Sequence, residues 1–311
     1  MGYVLSAMLT RLPRHLQGHL GMLAFSALVA GSFSLGAMAA PFISPLALTV
    51  VRFALAGVLV GAVAQATVGL QRSAWRAPWR YGVMGALMSI YFVLMYWGLQ
   101  TAQVVPTAAV FTLTPVMSAA FGWLFLRQIT TPRMALALAI GAAGALWVIF
   151  RGDINALLRL EVGFGEGVFF IGCIAHAAYT PLLRKLNRGE PALVSTFGMM
   201  MAGLVMLTLI GGGDVLATNW AALPAIVWIC LIYISVAASA ITFVLMQFSS
   251  MRLPSAKVMA YTYLVPTWVI LWELALGHEV PPWNVLGGVG LTVVALGLLL
   301  KDESGRKQRP N

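Results

Sequence analysis

A side chain that can ionise or hydrogen-bond is costly inside an apolar segment, so it asks for a reason wherever it occurs there. His176 lies in the middle of such a segment. Cys173 and Tyr179 stand three residues to either side and Thr180 four beyond, a spacing that puts all of them on one helical face. An imidazole titrates near neutral pH and can donate or accept a hydrogen bond. It could bind a carboxylate, carry a proton, or bond a neighbouring backbone carbonyl. A polar face at mid-depth finds no partner in lipid, which points to a cavity, with a packing histidine as the alternative. Tyr91, Tyr96 and Trp97, then Tyr261, Tyr263 and Trp268, form two further clusters, and each buried phenol needs a partner. With Ser89, Ser239 and Thr242 they could line an uncharged aromatic cavity or bond between helices. The candidate substrate contacts are Tyr91, Tyr96, His176, Tyr179, Ser239 and Tyr261.

Charges within apolar runs are few. Arg52 is seven residues into its run, so its backbone is about 10 Å below one membrane face at the usual helical rise. Glu273, taken as the carboxylate inside a span, is near the same face. The two could form a structural ion pair or a gate, or Arg52 could extend its head to the interface. Pro115 and Pro266, both mid-segment, are candidate hinges, and Pro181 is expected to bend its helix. Gly57 and Gly61 have the spacing that permits close helix contact.

No catalytic residue, metal site or cofactor is expected. The sequence lacks a phosphate-binding Gly-x-x-x-x-Gly-Lys-Ser/Thr loop and any Cys-x-x-Cys or His-Glu-x-x-His motif, and its four histidines are scattered. Cys173 and Cys230 read as free buried thiols.

Composition says what must position these residues. Of 311 residues, 60% are hydrophobic and 9% charged, with mean hydropathy +0.90. A soluble domain carries about 25% charged residues, so a water-soluble fold is excluded, as are disorder, collagen, coiled coil and a disulfide scaffold. Ten apolar runs are expected to span a membrane: 19–40, 45–67, 79–99, 104–126, 132–150, 163–183, 191–211, 222–247, 254–276 and 282–300. They are continuous and about twice the length of barrel strands, hence helices. The first resembles a signal peptide but is too long, and it is read as a retained helix.

The net charge of +10 suits the positive-inside rule better than nucleic-acid binding. With the N-terminus in the cytoplasm, sixteen Lys and Arg fall inside, and Arg151 and Arg159 outside. Both termini are therefore expected in the cytoplasm.

The chain also repeats itself. A shift of 151 residues lays Phe92-Val93-Leu94-Met95 on Phe243-Val244-Leu245-Met246, Leu113 on Leu264 and Pro115 on Pro266. A shift of 146 pairs Pro45 with Pro191, Gly57 with Gly203 and Gly141 with Gly287. Each half then holds five spans, and an odd number inverts the second copy, as in secondary transporters. The expected division is 1–18 as a cytoplasmic segment, 19–150 and 163–300 as the repeats, 151–162 as a periplasmic connection and 301–311 as a cytoplasmic tail.

The two halves, the Pro-Leu-x-Leu-x-x-x-Arg-Phe segment (Pro45 to Phe53), Leu113-Thr114-Pro115, and Gly277-His278-Glu279-Val280-Pro281 resemble the drug/metabolite transporter superfamily. The closest branch is its ten-helix EamA-type family, and within that the chain is similar to aromatic amino acid exporters. Gln128 stands where an acidic residue is common in the family, and no functional role is assigned to it.

The resemblance implies an all-α polytopic protein of the bacterial inner membrane, with ten helices in two inverted repeats around a central cavity, lined by the first, third, fourth, sixth, eighth and ninth helices. It implies export of small metabolites, amino acids with aromatic or large apolar side chains foremost, by alternating access. The lack of a central carboxylate favours a facilitator over the alternative, a proton-coupled drug or metabolite exporter. A lipid-modifying enzyme or a channel is the reading from another class. Expected partners are the solute and the bilayer, with no nucleic acid or nucleotide. The oligomeric state is open, and a monomer suffices.

Overall fold

The protein was analysed as a computed structural model that describes residues 13–70, 72–159, 162–279 and 281–301. Arg11 and the basic tail residues Arg306, Lys307 and Arg309 lie outside the described residues, as do most of the two terminal segments assigned from sequence. Ten long apolar helices are present: α1 His15–Ala39, α2 Pro45–Thr67, α3 Trp79–Gly98, α4 Val104–Leu126, α5 Pro132–Ile149, α6 Phe164–Leu186, α7 Ala192–Ala217, α8 Ala225–Ser250, α9 Ser255–Ala275 and α10 Trp283–Leu300. Among the described residues all regular structure is helical.

Proline sets where many of these helices begin, because its fixed φ suits a first turn whose N–H groups have no intrahelical partner. Pro45 and Pro132 occupy first positions, each behind a hydroxyl cap: Ser44 accepts from the Ala47 N–H (3.0 Å) and Thr131 from that of Met134 (3.2 Å). Pro191, Pro224 and Pro254 immediately precede α7, α8 and α9. Boundaries follow the apolar runs closely except in α7. That helix continues through Gly211, Gly212 and Gly213, and takes in Asp214, whose carboxylate accepts a 2.7 Å bond from the Ser44 hydroxyl. Glu166, in the first turn of α6, is a further helical carboxylate, so Glu273 is not alone in the helices.

The packing has twofold character. α2 lies on α7 and α5 on α10, while α1 on α8 is matched by α6 on α3. Exchanging the halves carries this set of pairs into itself. With five helices per half, α1 starts at the end of the bundle where α10 finishes, here the terminal face, and α6 at the opposite, far face. At the α5–α10 crossing, a Cβ on Gly144 would lie 2.6 Å from the Gly288 carbonyl oxygen, and one on Gly288 2.7 Å from that of Gly144. Only hydrogen at both positions allows that approach. Gly57 and Gly61 instead make room for the side chains of Met201 and Phe197 on α7.

Three helices are irregular at mid-depth. α4 breaks at Thr112 and Leu113, and Pro115 lies in the first turn of its second segment. α9 tightens to 3₁₀ geometry over Tyr261–Leu264, and Pro266 follows in the same position. The two breaks meet, with the hydroxyls of Thr114 and Thr262 3.2 Å apart. α8 widens into a π turn over Val236–Ile241. Pro181, by contrast, lies within α6, which continues through it to Leu186.

Candidate functional site

α2 carries Arg52 inward rather than to the interface. Its residue exposure is 0%, and every partner of its guanidinium is neutral. Nε donates to Ser239 Oγ (2.5 Å), one terminal nitrogen to the Tyr96 hydroxyl (2.7 Å), and the other to the Ala238 carbonyl (2.6 Å). Its central carbon stands 3.6 Å from the ring centre of Phe92, a cation–π contact. Two of these acceptors belong to the π turn of α8, where Ser239 also donates to the Ile234 carbonyl (2.7 Å). A π turn inserts one residue into the helix and re-aims its backbone and side chains, a distortion common at functional sites.

The Arg52–Glu273 pair that shared depth allowed is not formed. Glu273 Oε2 accepts from His278 Nδ1 at 2.7 Å, while its other carboxylate oxygen is buried without a bond. Arg52 points to α3 and α8, seven residues into α2, whereas Glu273 is in the last turn of α9. Glu273 instead borders a far-face cleft of about 560 Å³ between the halves, with Glu279, Arg151 and Gln103 on its walls.

Beside Arg52 the centre of the bundle is aromatic. Phe92 and Phe243 face one another at 5.8 Å between ring centres. His176 packs on Tyr91 at 4.5 Å and on Phe111 at 5.0 Å, and Tyr179 joins through Phe243 at 6.5 Å. Tyr91, Tyr96, His176, Tyr179 and Ser239 are all buried, so in this conformation the expected contacts are closed on one another. The Tyr91 hydroxyl and His176 Nδ1 are among the buried polar atoms that have no hydrogen-bond partner. Thr180 faces elsewhere and donates to the Met259 sulfur (3.0 Å).

Five of the six expected contacts thus converge, joined by Arg52. Tyr261 does not sit with them: it lies toward the terminal face, where its hydroxyl and His19 Nδ1 share a 2.9 Å hydrogen bond. The ring cluster draws on α2, through Phe53, which was not expected, as well as on α1, through Phe33, and on α3, α4, α6 and α8. Phe92, Phe111 and Phe243 had no polar label to single them out. One signal was nevertheless present, since the 151-residue shift pairs Phe92 with Phe243, and these are the residues that meet across the twofold relation.

Two structural clasps were also not anticipated. Arg80 is buried at the start of α3 and pairs with Glu190 at 2.6 Å, the side chains being 3% and 9% exposed. It also donates to the Leu186 carbonyl (2.6 Å) and the Ala77 carbonyl (3.2 Å), closing the end of α6. Burial alone would push the Glu190 carboxyl up, but hydrogen bonds from Arg80 and the Arg188 backbone N–H outweigh it and hold the group below its usual 4.5. Gln128, in turn, accepts from the Ser255 backbone N–H (3.2 Å) and so caps α9 from the other half. Among the described residues no group of three or more His, Cys, Asp or Glu could hold a metal.

The chain matches the EamA-like transporter family twice over, at residues 16–150 and 163–301. It is 24% identical over 291 residues to YyaM of Bacillus subtilis (strain 168), described as an uncharacterized transporter, covering 92% of this chain and 93% of that one. It is 26% identical over 253 residues to a probable terminal-alkyne amino-acid exporter of Streptantibioticus cattleyicolor, covering 79% and 81%. A crystal structure of another protein superposes with a TM-score of 0.67 at 19% identity, covering 92% of this chain and 96% of that one, which speaks to the fold. A ten-helix bundle with exchangeable halves, interrupted helices and a polar centre, matched by the same family in both halves, is a multi-pass membrane protein: the chain belongs to the EamA-like transporter family.

Proposed function

We propose that the protein exports amino acids with aromatic or large apolar side chains across a bacterial inner membrane, by alternating access of its halves 19–150 and 163–300. The observation that carries this reading is the aromatic cluster of Tyr91, Phe92, Phe111, His176 and Phe243 beside a buried guanidinium. Such a centre suits an aromatic or aliphatic side chain with a polar head at one end. The unpartnered Tyr91 hydroxyl and His176 Nδ1 support it as well, because each unmet buried polar atom costs about 1–3 kcal/mol that a solute could recover. The similarity to an amino-acid exporter agrees with the substrate class. The excess of Lys and Arg at the terminal face supports a cytoplasmic placement of both termini, of residues 1–18 and 301–311 with them, and a periplasmic 151–162.

Transport is taken to be facilitated diffusion. Ion-coupled carriers place a titratable carboxylate or an oxygen-rich ion site beside the solute. Here the helical carboxylates Glu166, Asp214 and Glu273 all lie toward the far face, away from His176. Proteoliposomes loaded with L-phenylalanine are expected to release it down its gradient at a rate unaffected by an imposed pH gradient. Accumulation of phenylalanine driven by that pH gradient, lost in His176→Ala, would overturn the facilitator reading. Inert vesicles would overturn the substrate class.

Pro115 and Pro266 are read as the hinges of the rocking motion, because both follow the helix breaks that meet at the centre. Pro266→Ala restores a backbone N–H and lets α9 run on. It is expected to slow counterflow while changing stability by no more than about 1 kcal/mol. Unaltered counterflow in the folded variant would remove the hinge role.

A further inference from the structure

Arg52 presents a puzzle of charge rather than of hydrogen bonding. It is wholly buried at the centre of a membrane bundle, yet its partners are two hydroxyls, a backbone carbonyl and an aromatic face. Those groups solvate a cation but do not neutralise it. A purely structural clasp among α2, α3 and α8 could use a neutral side chain and avoid burying a charge. A guanidinium is the group of choice where a carboxylate must be gripped through two parallel hydrogen bonds.

We propose that Arg52 is the receptor for the substrate carboxylate, and that Ser239, Tyr96 and the Ala238 carbonyl are internal stand-ins released when the solute arrives. This rests on the amino-acid reading above and deepens it. The stand-ins lie on α3 and on the π turn of α8, while Arg52 itself is on α2. Exchanging them for a carboxylate therefore unfastens α2 from α8, one helix from each half. Binding energy is then coupled to the motion that opens the bundle, and the π turn is the element set free. An amino-acid amide, which has no carboxylate, would leave the clasp shut.

The test is counterflow in proteoliposomes with matched pairs, L-phenylalanine against L-phenylalaninamide and L-leucine against L-leucinamide, at a pH where all amines are protonated. The wild-type protein is expected to favour each acid over its amide by about 100-fold or more in kcat/KM, as a site built for a polar group rejects a substrate lacking it. Ser239→Ala and Tyr96→Phe remove a competing acceptor and keep the guanidinium. Each is expected to lower the half-saturating concentration of the acid by about 3- to 10-fold, the worth of one hydrogen bond, and so to widen the preference for acid over amide by that factor. Arg52→Gln is expected to bring acid and amide within about threefold of each other.

Equal transport of acid and amide by the wild type would overturn the carboxylate role and leave the transporter reading in place. So would a Ser239→Ala variant that handles acid and amide equally worse, the pattern of a merely structural bond. Preference for the acid in the leucine pair with no transport of the phenylalanine pair would overturn the aromatic assignment and keep Arg52 in its role. Should Arg52→Gln fail to fold, the sign of the Ser239→Ala and Tyr96→Phe shifts decides.

Discussion

Glu190→Ala is expected to destabilise the detergent-solubilised protein by about 1–3 kcal/mol, between the values for an exposed and a fully buried ion pair, because Arg80 is buried and Glu190 partly so. Arg80 is left against the carbonyls of Leu186 and Ala77 with its charge uncompensated. Because the pair joins the start of α3 to the loop between α6 and α7, the loss falls on the docking of the two halves. The pH dependence follows from the direction of the Glu190 shift. A carboxyl held below 4.5 in the folded protein contributes fully above 4.5, and its contribution disappears as pH falls through the lower folded-state value. Thermal unfolding followed between neutral and acid pH should therefore show wild type and Glu190→Gln converging only below about pH 4.5. A gap that persists undiminished in acid, or no gap at neutral pH, would contradict the clasp.

The second large effect is steric. Gly144→Val places a branched side chain where the Gly288 carbonyl oxygen already lies 2.6 Å from an ideal Cβ. Neither atom is the movable end of a side chain, so α5 and α10 must separate. A loss of about 3 kcal/mol or more is expected, seen as aggregation on extraction or a collapsed unfolding temperature. Gly290→Ala, on α10 with nothing within 4 Å of its Cβ, is the control and should fall within about 1 kcal/mol of wild type. A stable, active Gly144→Val protein would mean that the crossing is not closely packed.

The spans were legible because lipid imposes one requirement on every stretch of backbone, and ten apolar runs satisfy it in the only way helices can. The twofold packing was legible through Phe92 and Phe243, whose repeat register predicts their meeting. Polar and aromatic side chains stand out within apolar runs, which is how Tyr91, Tyr96, His176, Tyr179 and Ser239 could be picked from the sequence. What a single run does not encode is bearing around the bundle axis. Arg52 turns to Tyr96 and Ser239 rather than to Glu273, Glu273 turns to His278, and Tyr261 turns to His19. The π turn of α8 was equally hidden, since Val236-Ala237-Ala238-Ser239-Ala240-Ile241 reads as ordinary helix until Arg52 is seen to use its carbonyl and hydroxyl. The Arg80 clasp carries no signal in the sequence, because its partner, Glu190, lies more than a hundred residues away.

The central claim is that the solute binds in the aromatic centre between Arg52 and His176, and the native Cys173 reports on it directly. This thiol is fully buried one turn before His176 and, with Cys230 replaced by alanine, it is the protein's single cysteine. Alkylation of Cys173 by a small maleimide should be slow. L-phenylalanine should suppress it, with half-maximal effect at the concentration that half-saturates counterflow. An alkylation rate unchanged at saturating phenylalanine, in protein that still exchanges it, would place the binding site elsewhere.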